Sequence, residues 1–193
     1  GFPGNLTLTI TYTWNDANEL MIEYNAVSDA DTILNITNHS YFNIGCGGQA
    51  AGDVLGAQVQ IASAKYTPIN EKRLPTGEIC DVAGTAMDFR EFHDIGSRIG
   101  EDDANVQTVS GYDHNYILPG NPGEICYAAA VRDPESRRIV EVYTDMPGVQ
   151  LYTAKELVEQ GGKGGITYGN FGGLCFETQQ YPNGINEPKF PSP

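Results

Sequence analysis

The stretch Leu-Thr-Leu-Thr-Ile-Thr-Tyr-Thr-Trp, residues 6–14, alternates apolar and polar side chains without interruption. Because successive side chains of a β-strand point to opposite faces, this alternation predicts a strand with one buried face. Residues 15–18, Asn-Asp-Ala-Asn, are typical of a turn, and residues 20–27 again have the composition of a strand. The first part of the chain therefore predicts a β-hairpin.

Strand signals of the same kind continue through the rest of the chain. We predict further strands over residues 33–43, 54–62, 114–118, 125–131, 138–144, 149–153 and 172–179. Helical turns are expected only after residue 90 and over residues 154–160. Residues 65–80 are expected to be connecting structure with short strands, and residues 100–111 a loop. Many short strands separated by turns, with almost no helical periodicity, predict an all-β sandwich or barrel.

The composition narrows the function classes. The 193 residues are enough for one domain with a real core, and the formal net charge is -14. Basic residues cluster no further than Lys72-Arg73 and Arg137-Arg138, which argues against binding to nucleic acid or to an anionic membrane surface. No apolar run reaches transmembrane length and no signal-peptide pattern occurs, so we predict a cytoplasmic location.

The four cysteines, at positions 46, 80, 126 and 175, show no Cys-x-x-Cys spacing. Paired cysteines at that spacing are the usual signature of a zinc site. A chain of this size also has no need of disulfides to stabilise its core. The pattern therefore predicts free thiols and no metal site.

Residues 38–43, Asn-His-Ser-Tyr-Phe-Asn, contain one of the three histidines of the chain. On a strand, His39, Tyr41 and Asn43 would share one face. An imidazole, a phenol and an amide are poorly suited to a dry core, so this face indicates a wet cleft that receives a polar ligand. Histidine is also the side chain best suited to transfer a proton near neutral pH.

Three further polar residues lie within or beside apolar strand patterns: Asp113, Gln150 and Glu177. Each has a purely structural interpretation, because a strand glutamate can pair with a cation, a turn aspartate can accept from backbone amides, and a glutamine can lie on the surface. Together with His39 they comprise a proton donor, a carboxylate base and two hydrogen-bonding groups. That set suits acid–base chemistry on a polyol without a metal or a nucleotide.

Five motifs occur in a characteristic order along the chain. They are residues 38–43 (quoted above), 75–77 (Pro-Thr-Gly), 111–116 (Gly-Tyr-Asp-His-Asn-Tyr), 147–153 (Pro-Gly-Val-Gln-Leu-Tyr-Thr) and 177–182 (Glu-Thr-Gln-Gln-Tyr-Pro). In this order they resemble the aldose 1-epimerase family, also called galactose mutarotases, from about residue 4 to the last prolines. The resemblance implies a large antiparallel β-sandwich with a sugar cleft, and no cofactor.

The resemblance also implies roles for individual residues. His39 is similar to the family's general acid and Glu177 to its general base, while Asp113 and Gln150 match its ligands for sugar hydroxyls. Tyr41 is expected to line the cleft beside His39. The implied reaction is that of an isomerase: interconversion of the α and β anomers of a free aldohexose, such as glucose or galactose, through ring opening.

The sequence departs from the family pattern in several respects. The Asn-Arg and His-Gly-Gly motifs of the family's first part do not occur in it. The closing strands expected after the proline-rich stretch are absent, and Ala154-Lys155 follows Thr153 where the family usually has Gly-Asn. We therefore expect residues 1–193 to form a single mutarotase-like domain that is incomplete at both ends, with the missing part of the domain on another chain as a partner. The alternatives are a non-catalytic carbohydrate-binding sandwich, a fragment of a larger enzyme, and a glycoside hydrolase that uses Asp113 and Glu177 as its carboxylate pair.

Overall fold

The computed structural model describes residues 1–45, 52–121, 123–158 and 160–192. They form two compact units, residues 1–36 and residues 37–192, each of which is described by itself. Antiparallel strands dominate both units, which confirms the all-β prediction. Among the described residues, no helix has the length and apolar character needed to cross a membrane.

The first unit contains the hairpin predicted from the alternating stretch. Strand β1 (Leu6–Trp14) pairs antiparallel with strand β2 (Leu20–Ser28) along its full length. The turn is stabilised by the side chain of Asn15, whose Oδ1 accepts hydrogen bonds from the backbone N–H groups of Ala17 (2.9 Å) and Glu19 (3.2 Å). The register places the apolar side chains of β1 on the same face as Leu20, Ile22, Tyr24 and Ala26 of β2, whereas Met21 and Val27 lie on the threonine face. The β1 side chains are exposed.

The second unit contains two antiparallel sheets. Its strands are, in chain order, β3 (Gln58–Ile61), β4 (Lys65–Thr67), β5 (Cys80–Asp81), β6 (His93–Asp94), β7 (Asp113–Ile117), β8 (Cys126–Arg132), β9 (Ile139–Thr144), β10 (Gly148–Tyr152) and β11 (Cys175–Gln179). One sheet has the strand order β11-β10-β7-β4-β5 and the other has the order β6-β3-β8-β9. The strands predicted over residues 125–131 and 138–144 form as β8 and β9, which pair antiparallel as a hairpin.

A common apolar core joins the two sheets of the second unit. Tyr116 of β7 and Leu151 of β10 are fully buried in the same cluster as Val59 of β3 and Val131 of β8. The hydroxyl of Tyr116 donates to the carbonyl oxygen of Met87 at 3.1 Å, so the phenol is satisfied although it is buried. Face-to-face packing of two sheets around such a core is a β-sandwich. Alternate residues of β7, β10 and β11 consequently project from the opposite, outer face of the five-stranded sheet.

The prediction of a strand over residues 33–43 is wrong. This segment is irregular, and its backbone is paired with another strand only at Phe42, which exchanges hydrogen bonds of 2.7 and 2.9 Å with Leu174. The backbone N–H of Ser40 instead donates to Oδ1 of Asn38 at 3.1 Å. Side chains such as asparagine and serine offer the backbone local partners that compete with a sheet ladder. The expectation that His39, Tyr41 and Asn43 share a strand face therefore had the wrong structural basis.

The helices differ in part from those expected. The helical turn expected after residue 90 is a 3-10 helix, Ile95–Ser97, and further 3-10 helices span Lys163–Gly165 and Gly184–Asn186. Helix α1 (Ala104–Val109) lies in a region predicted to be a loop. It begins after Asp103, whose side chain accepts a hydrogen bond of 2.9 Å from the backbone N–H of Asn105, a standard N-cap contact.

The helix expected over residues 154–160 does not form in residues 154–158, which the structure describes. Ala154 has a backbone φ of 50°, in the left-handed region, which is incompatible with an α-helix beginning there. Its carbonyl oxygen accepts a hydrogen bond of 2.9 Å from the backbone N–H of Phe171. The segment therefore forms a loop, which this hydrogen bond stabilises.

The cysteines agree with the prediction where they are described. Cys80, Cys126 and Cys175 are free thiols, while Cys46 lies outside the described residues. Cys175 is buried on β11 and the other two described cysteines are half-buried. Of these three described cysteines, Cys175 lies on the same strand as Glu177, which the sequence singled out for chemistry.

Candidate active site

The outer face of the five-stranded sheet brings the predicted polar residues together. Gln150 on strand β10 lies opposite Asn115 of β7 on one side and opposite Glu177 of β11 on the other. One step along the strands, Tyr152 lies between Asp113 and Cys175 in the same way. The two rows share a face because residues in register, and residues two apart on one strand, point in the same direction.

His39 reaches this face from the irregular segment before β3. The bridge between Phe42 and Leu174 fixes the segment beside the start of β11, and Nδ2 of Asn43 adds a hydrogen bond of 3.1 Å to the carbonyl oxygen of Gly172. Glycine at position 173 favours the close approach, because a Cβ there would lie 3.2 Å from Cβ of Tyr41, which is tighter than most such contacts. Asn43, predicted to face a wet cleft, instead anchors the segment that carries His39.

His39 and Glu177 are in direct contact. Nε2 of His39 lies 3.2 Å from Oε1 of Glu177, and the side chains are 47% and 9% exposed respectively. Burial raises the pKa of Glu177 and the negative charge of Asp113 adds to this effect, whereas His39 lowers it. The carboxyl group therefore accepts a proton more readily than an exposed glutamate does, and it lies beside a group that can exchange protons with it.

Asp113 and Gln150 form the second part of the site. Nε2 of Gln150 donates to Oδ1 of Asp113 at 2.6 Å, and Oε1 of Gln150 accepts from Nε2 of Gln179 at 3.1 Å. This chain of amides fixes the orientation of Gln150, because its oxygen faces a donor and its nitrogen faces a carboxylate. Burial raises the pKa of Asp113, and the hydrogen bond from Gln150 acts in the opposite direction.

Two tyrosines surround the imidazole of His39. The ring centroid of Tyr41 lies 5.1 Å from that of His39, and the ring of Tyr152 lies 5.9 Å from it in an edge-on arrangement. The two phenol rings are themselves 6.3 Å apart. Aromatic rings at these distances provide flat apolar surface beside polar groups, which suits the faces of a sugar ring.

These residues and this fold correspond to a known family. The sequence model described as "Aldose 1-epimerase" matches residues 1–193. The chain belongs to the aldose 1-epimerase family. It is 41% identical over 192 residues to the galactose mutarotase of Mus musculus, a match that covers 99% of this chain and 54% of the mouse protein. It is 35% identical over 193 residues to the aldose 1-epimerase of Escherichia coli K12, covering 100% of this chain and 55% of that protein.

Solved structures agree with the family assignment. A galactose 1-epimerase from Lactobacillus acidophilus is 33% identical with a TM-score of 0.79, over 94% of this chain and 50% of that one. A GalM/aldose epimerase homologue from C. elegans is 25% identical with a TM-score of 0.85, over 100% of this chain and 56% of that one. The antiparallel β-sandwich predicted from the family resemblance is thereby confirmed. The chain spans about half the length of the curated relatives it matches.

Sequence reasoning missed an ion pair that lies near Asp113. Nη1 of Arg73 donates to Oε2 of Glu156 at 3.1 Å, and a second contact joins Nη2 to Oε1. The positive charge of Arg73 lowers the pKa of Asp113 and the negative charge of Glu156 raises it, so both groups are within electrostatic range of the site. Nothing in the local sequence marks this pair, since its members are 83 residues apart.

Sequence reasoning also missed Tyr152, Gln179 and the role of Cys175 as a neighbour of His39. For Tyr152 and Gln179 the signal was available, because each lies two residues from a residue that was singled out, on the same strand face. Nδ1 of His39 lies 3.4 Å from Sγ of Cys175. His39, Cys175 and Glu177 each offer one potential metal-ligand atom, and the three atoms lie within 4.8 Å of one another.

His114 is next to Asp113 in sequence but lies on the other face of the sheet. It is fully buried in the core, and its Nδ1 accepts a hydrogen bond of 3.2 Å from the backbone N–H of Asp113. Its Nε2 has no hydrogen-bond partner among the described residues. Burial lowers the pKa of His114 to about 4, so the imidazole is neutral at physiological pH and takes no part in the site.

Proposed function

We propose that the protein interconverts the α and β anomers of free aldohexoses, with galactose and glucose as the substrates to test first. The observation that supports this reaction is the 3.2 Å contact between Nε2 of His39 and Oε1 of Glu177. The relatives are described as galactose mutarotase and aldose 1-epimerase, and they are about twice as long as this chain. The activity of this chain, its substrate and the roles of its residues are therefore our proposals.

Ring opening needs an acid and a base that lie close together. The oxygen of the C1 hydroxyl and the ring oxygen are bonded to the same carbon, so one group must remove a proton while its neighbour supplies one. Glu177, as the carboxylate, accepts the proton of the C1 hydroxyl. Protonated His39 donates to the ring oxygen, the bond from C1 to the ring oxygen breaks, and C1 becomes the aldehyde carbon.

Ring closure reverses these roles. Rotation about the C1–C2 bond presents the other face of the aldehyde to the C5 hydroxyl. Neutral His39 then removes the C5 hydroxyl proton as this oxygen attacks C1, and the carboxylic acid of Glu177 protonates the aldehyde oxygen. Both residues return to their starting protonation states, and the product is the opposite anomer.

The environment of Glu177 suits its proposed role. A general base is most effective when its pKa lies near the working pH, and burial raises the pKa of this carboxyl group. His39 remains 47% exposed, so it can exchange protons with solvent between turnovers. Each positioned proton-transfer group contributes roughly 10²–10⁴-fold to a rate. That range is sufficient for mutarotation, which already proceeds in water.

The remaining site residues are proposed to hold the sugar. Asp113 and Gln150 would bind ring hydroxyls, with Gln179 keeping the amide of Gln150 in a fixed orientation. Tyr41 and Tyr152 would contact the sugar ring beside His39. Fixing the substrate in this way reduces the orientational freedom that ring opening must otherwise overcome.

Polarimetry of freshly dissolved α-D-galactose tests the proposed base. Glu177→Gln keeps the shape of the side chain but removes its basicity, so the catalysed rate should fall by roughly 10²–10⁴-fold. Glu141→Gln is the matched control, because Glu141 is an exposed strand glutamate on β9 and its replacement should leave the rate unchanged. A Glu177→Gln protein as active as the parent would contradict the proposal.

The alternatives make different predictions for the same protein. A glycoside hydrolase using Asp113 and Glu177 would release the aglycone of a chromogenic galactoside in proportion to enzyme concentration. A non-catalytic binding module would bind galactose in a calorimeter and leave its mutarotation rate at that of buffer. Faster mutarotation without release of aglycone supports the epimerase.

We also propose that a second polypeptide supplies the part of the domain that this chain does not span. The apolar face of the β1–β2 hairpin is exposed, with Tyr12 and Trp14 at 58% and 65%, and a sheet face of this kind normally packs against another layer. Native mass spectrometry of protein from its source should find this 20.9 kDa chain with a polypeptide carrying the family's Asn-Arg and His-Gly-Gly motifs. The mass of this chain alone would contradict this.

The cytoplasmic location and the single-domain boundary stay predictions.

A further inference from the structure

His39 contacts Cys175 as well as Glu177, and the three side chains together resemble the ligand set of a metal site. Nδ1 of His39 is 3.4 Å from Sγ of Cys175, and Nε2 is 3.2 Å from Oε1 of Glu177. Taking one ligand atom from each residue, all three lie within 4.8 Å of one another. Tetrahedral zinc, with bond lengths of about 2.0–2.3 Å, holds its ligand atoms roughly 3–4 Å apart. The two short contacts use different nitrogens of His39, so the imidazole has to turn before one nitrogen, the sulfur and the carboxylate oxygen reach this spacing.

Two of the three ligands are held in place by the sheet. Cys175 and Glu177 are two residues apart on β11, face the same way, and are in register with Tyr152 and Gln150 of β10. His39 lies on an irregular segment and is half exposed, so its ring can turn to direct one nitrogen toward a cation.

We propose that His39, Cys175 and Glu177 bind a thiophilic divalent cation, Zn²⁺, and that the bound cation blocks the sugar site. A thiolate, an imidazole and a carboxylate are all ligands that Zn²⁺ accepts. Once they coordinate the cation, the proposed acid and base are no longer available for proton transfer. The binding part of this inference is independent of the proposed function, whereas the inhibition rests on it.

The competing explanation is that Cys175 only donates a weak S–H hydrogen bond to His39. An ordinary cysteine thiol has a pKa of about 8.5, so at neutral pH and without a cation most of it is protonated. A cation bound by the sulfur converts it to a thiolate. Thiolate absorption at neutral pH therefore separates coordination from a simple hydrogen bond.

Cd²⁺ is the spectroscopic probe, because its complexes with thiolates have a charge-transfer band in the ultraviolet. We would titrate Cd²⁺ into a variant in which Cys46, Cys80 and Cys126 are serine, so that Cys175 is the single thiol. The band should rise to one equivalent and should fall again when Zn²⁺ is added. Replacing Cys175 with serine in the same background should abolish it. No band in the single-cysteine protein would overturn the inference.

The other two ligands are tested by their own variants in the single-cysteine background. Loss of groups that support a bound metal typically weakens affinity by about 10–100-fold, and loss of a direct ligand should weaken it at least as much. We therefore expect such weakening for His39→Gln and for Glu177→Gln. His93→Gln is the matched control, because His93 lies on β6 and contacts Arg98, outside this cluster. Unchanged affinity in both ligand variants would overturn the three-ligand site.

Mutarotation in the presence of Zn²⁺ tests the inhibition. The rate with Zn²⁺ divided by the rate with EDTA should be low for the parent and close to one for Cys175→Ser. A parent protein that is active and indifferent to Zn²⁺ contradicts the inhibitory part of this inference and leaves the proposed function intact. A parent that binds Cd²⁺ but shows no mutarotation contradicts the proposed function and leaves the metal site intact.

Discussion

The two faces of the five-stranded sheet place histidines in opposite environments. On the outer face, His39 is half exposed and lies 3.2 Å from the carboxylate of Glu177. On the inner face, His114 projects from β7 into the core, where it is fully buried and its Nε2 has no partner within the described ranges. The first imidazole has water and a counter-charge beside it, and the second has neither.

This difference explains why His39, and not His114, is suited to acid–base chemistry. A charged imidazole needs hydration or a counter-charge, and burial without either lowers the pKa of His114 to about 4. His114 therefore acts as a neutral packing residue beside Tyr66, whose ring centroid is 6.2 Å away. In the proposed reaction, proton transfer takes place on the outer face, although residues from both faces alternate along the same strands.

The sharpest test of the comparison is to replace each histidine with glutamine. His39→Gln should reduce the catalysed mutarotation rate by roughly 10²–10⁴-fold, because glutamine cannot donate and recover a proton in this way. His114→Gln should change the rate per folded molecule far less, with folding verified by circular dichroism. Equal losses in the two folded variants would show that the faces do not differ as described.

The pH dependence of stability tests the environment of His114. Its pKa falls from 6.5 in the unfolded chain to about 4 in the folded protein, so between these values the unfolded chain binds a proton that the folded one does not. The free energy of unfolding should therefore lose on the order of 3 kcal/mol from this residue as the pH falls from 6.5 to 4. Urea unfolding at several pH values measures this as the difference between the parent and His114→Gln.

The parent has to be compared with His114→Gln because Asp113 and Glu177 change the free energy of unfolding in the opposite direction as the pH falls. The raised pKa values of Asp113 and Glu177 mean that the folded protein gains stability as these groups are protonated. Both groups are present in the parent and in the variant, so their contribution cancels. If His114→Gln does not fold, NMR titration of the parent gives the answer, and a His114 imidazole that titrates near pH 6.5 contradicts the account.

A smaller effect is expected where Asp113 acts on Glu177. The negative charge of Asp113 raises the pKa of Glu177, so Asp113→Asn should lower that pKa and move the acid limb of the kcat/KM profile to lower pH. Carbon-13 NMR of the glutamate carboxyl groups measures the pKa without any activity assay. Asp81→Asn, which removes an exposed charge on β5, is the control and should leave the pKa of Glu177 where it is.

The smallest effect is expected from the Arg73–Glu156 pair, because both side chains are well exposed and their field is screened by water. Arg73 lowers the pKa of Asp113, so Arg73→Met should raise it. Arg90→Met removes another exposed arginine that is paired with a carboxylate, Asp88, and should have no such effect. An unchanged pKa of Asp113 in Arg73→Met would show that the Arg73–Glu156 pair does not influence the site.

The strands of this fold were largely predictable because their signals are local. The alternation over residues 6–14 corresponds to β1, and the patterns around Gln150 and Glu177 correspond to β10 and β11. The irregular segment around His39 was not predictable in this way, since its apolar content favours a strand and only the Asn38–Ser40 contact shows why none forms. Helix α1 was missed although its N-cap, Asp103, is visible in the sequence.

The site was predictable only in part, for a different reason. Strand patterns singled out His39, Asp113, Gln150 and Glu177, and the family resemblance implied their roles and that of Tyr41. The structure brings all five to one face of one sheet. No local pattern indicates that Cys175 lies 3.4 Å from His39, 136 residues earlier in the chain, or that Arg73 pairs with Glu156. Such contacts depend on the register of distant strands, which is fixed by the packing of the whole sandwich.

The claim that His39 and Glu177 act together is tested most directly by a double-mutant cycle on the mutarotation of α-D-galactose. Rates are measured for the parent, for His39→Gln, for Glu177→Gln and for the double variant. Groups that serve one reaction step as a unit are strongly non-additive, so the double variant should be about as slow as the slower single variant. Losses that multiply, as for independent sites, would contradict the account.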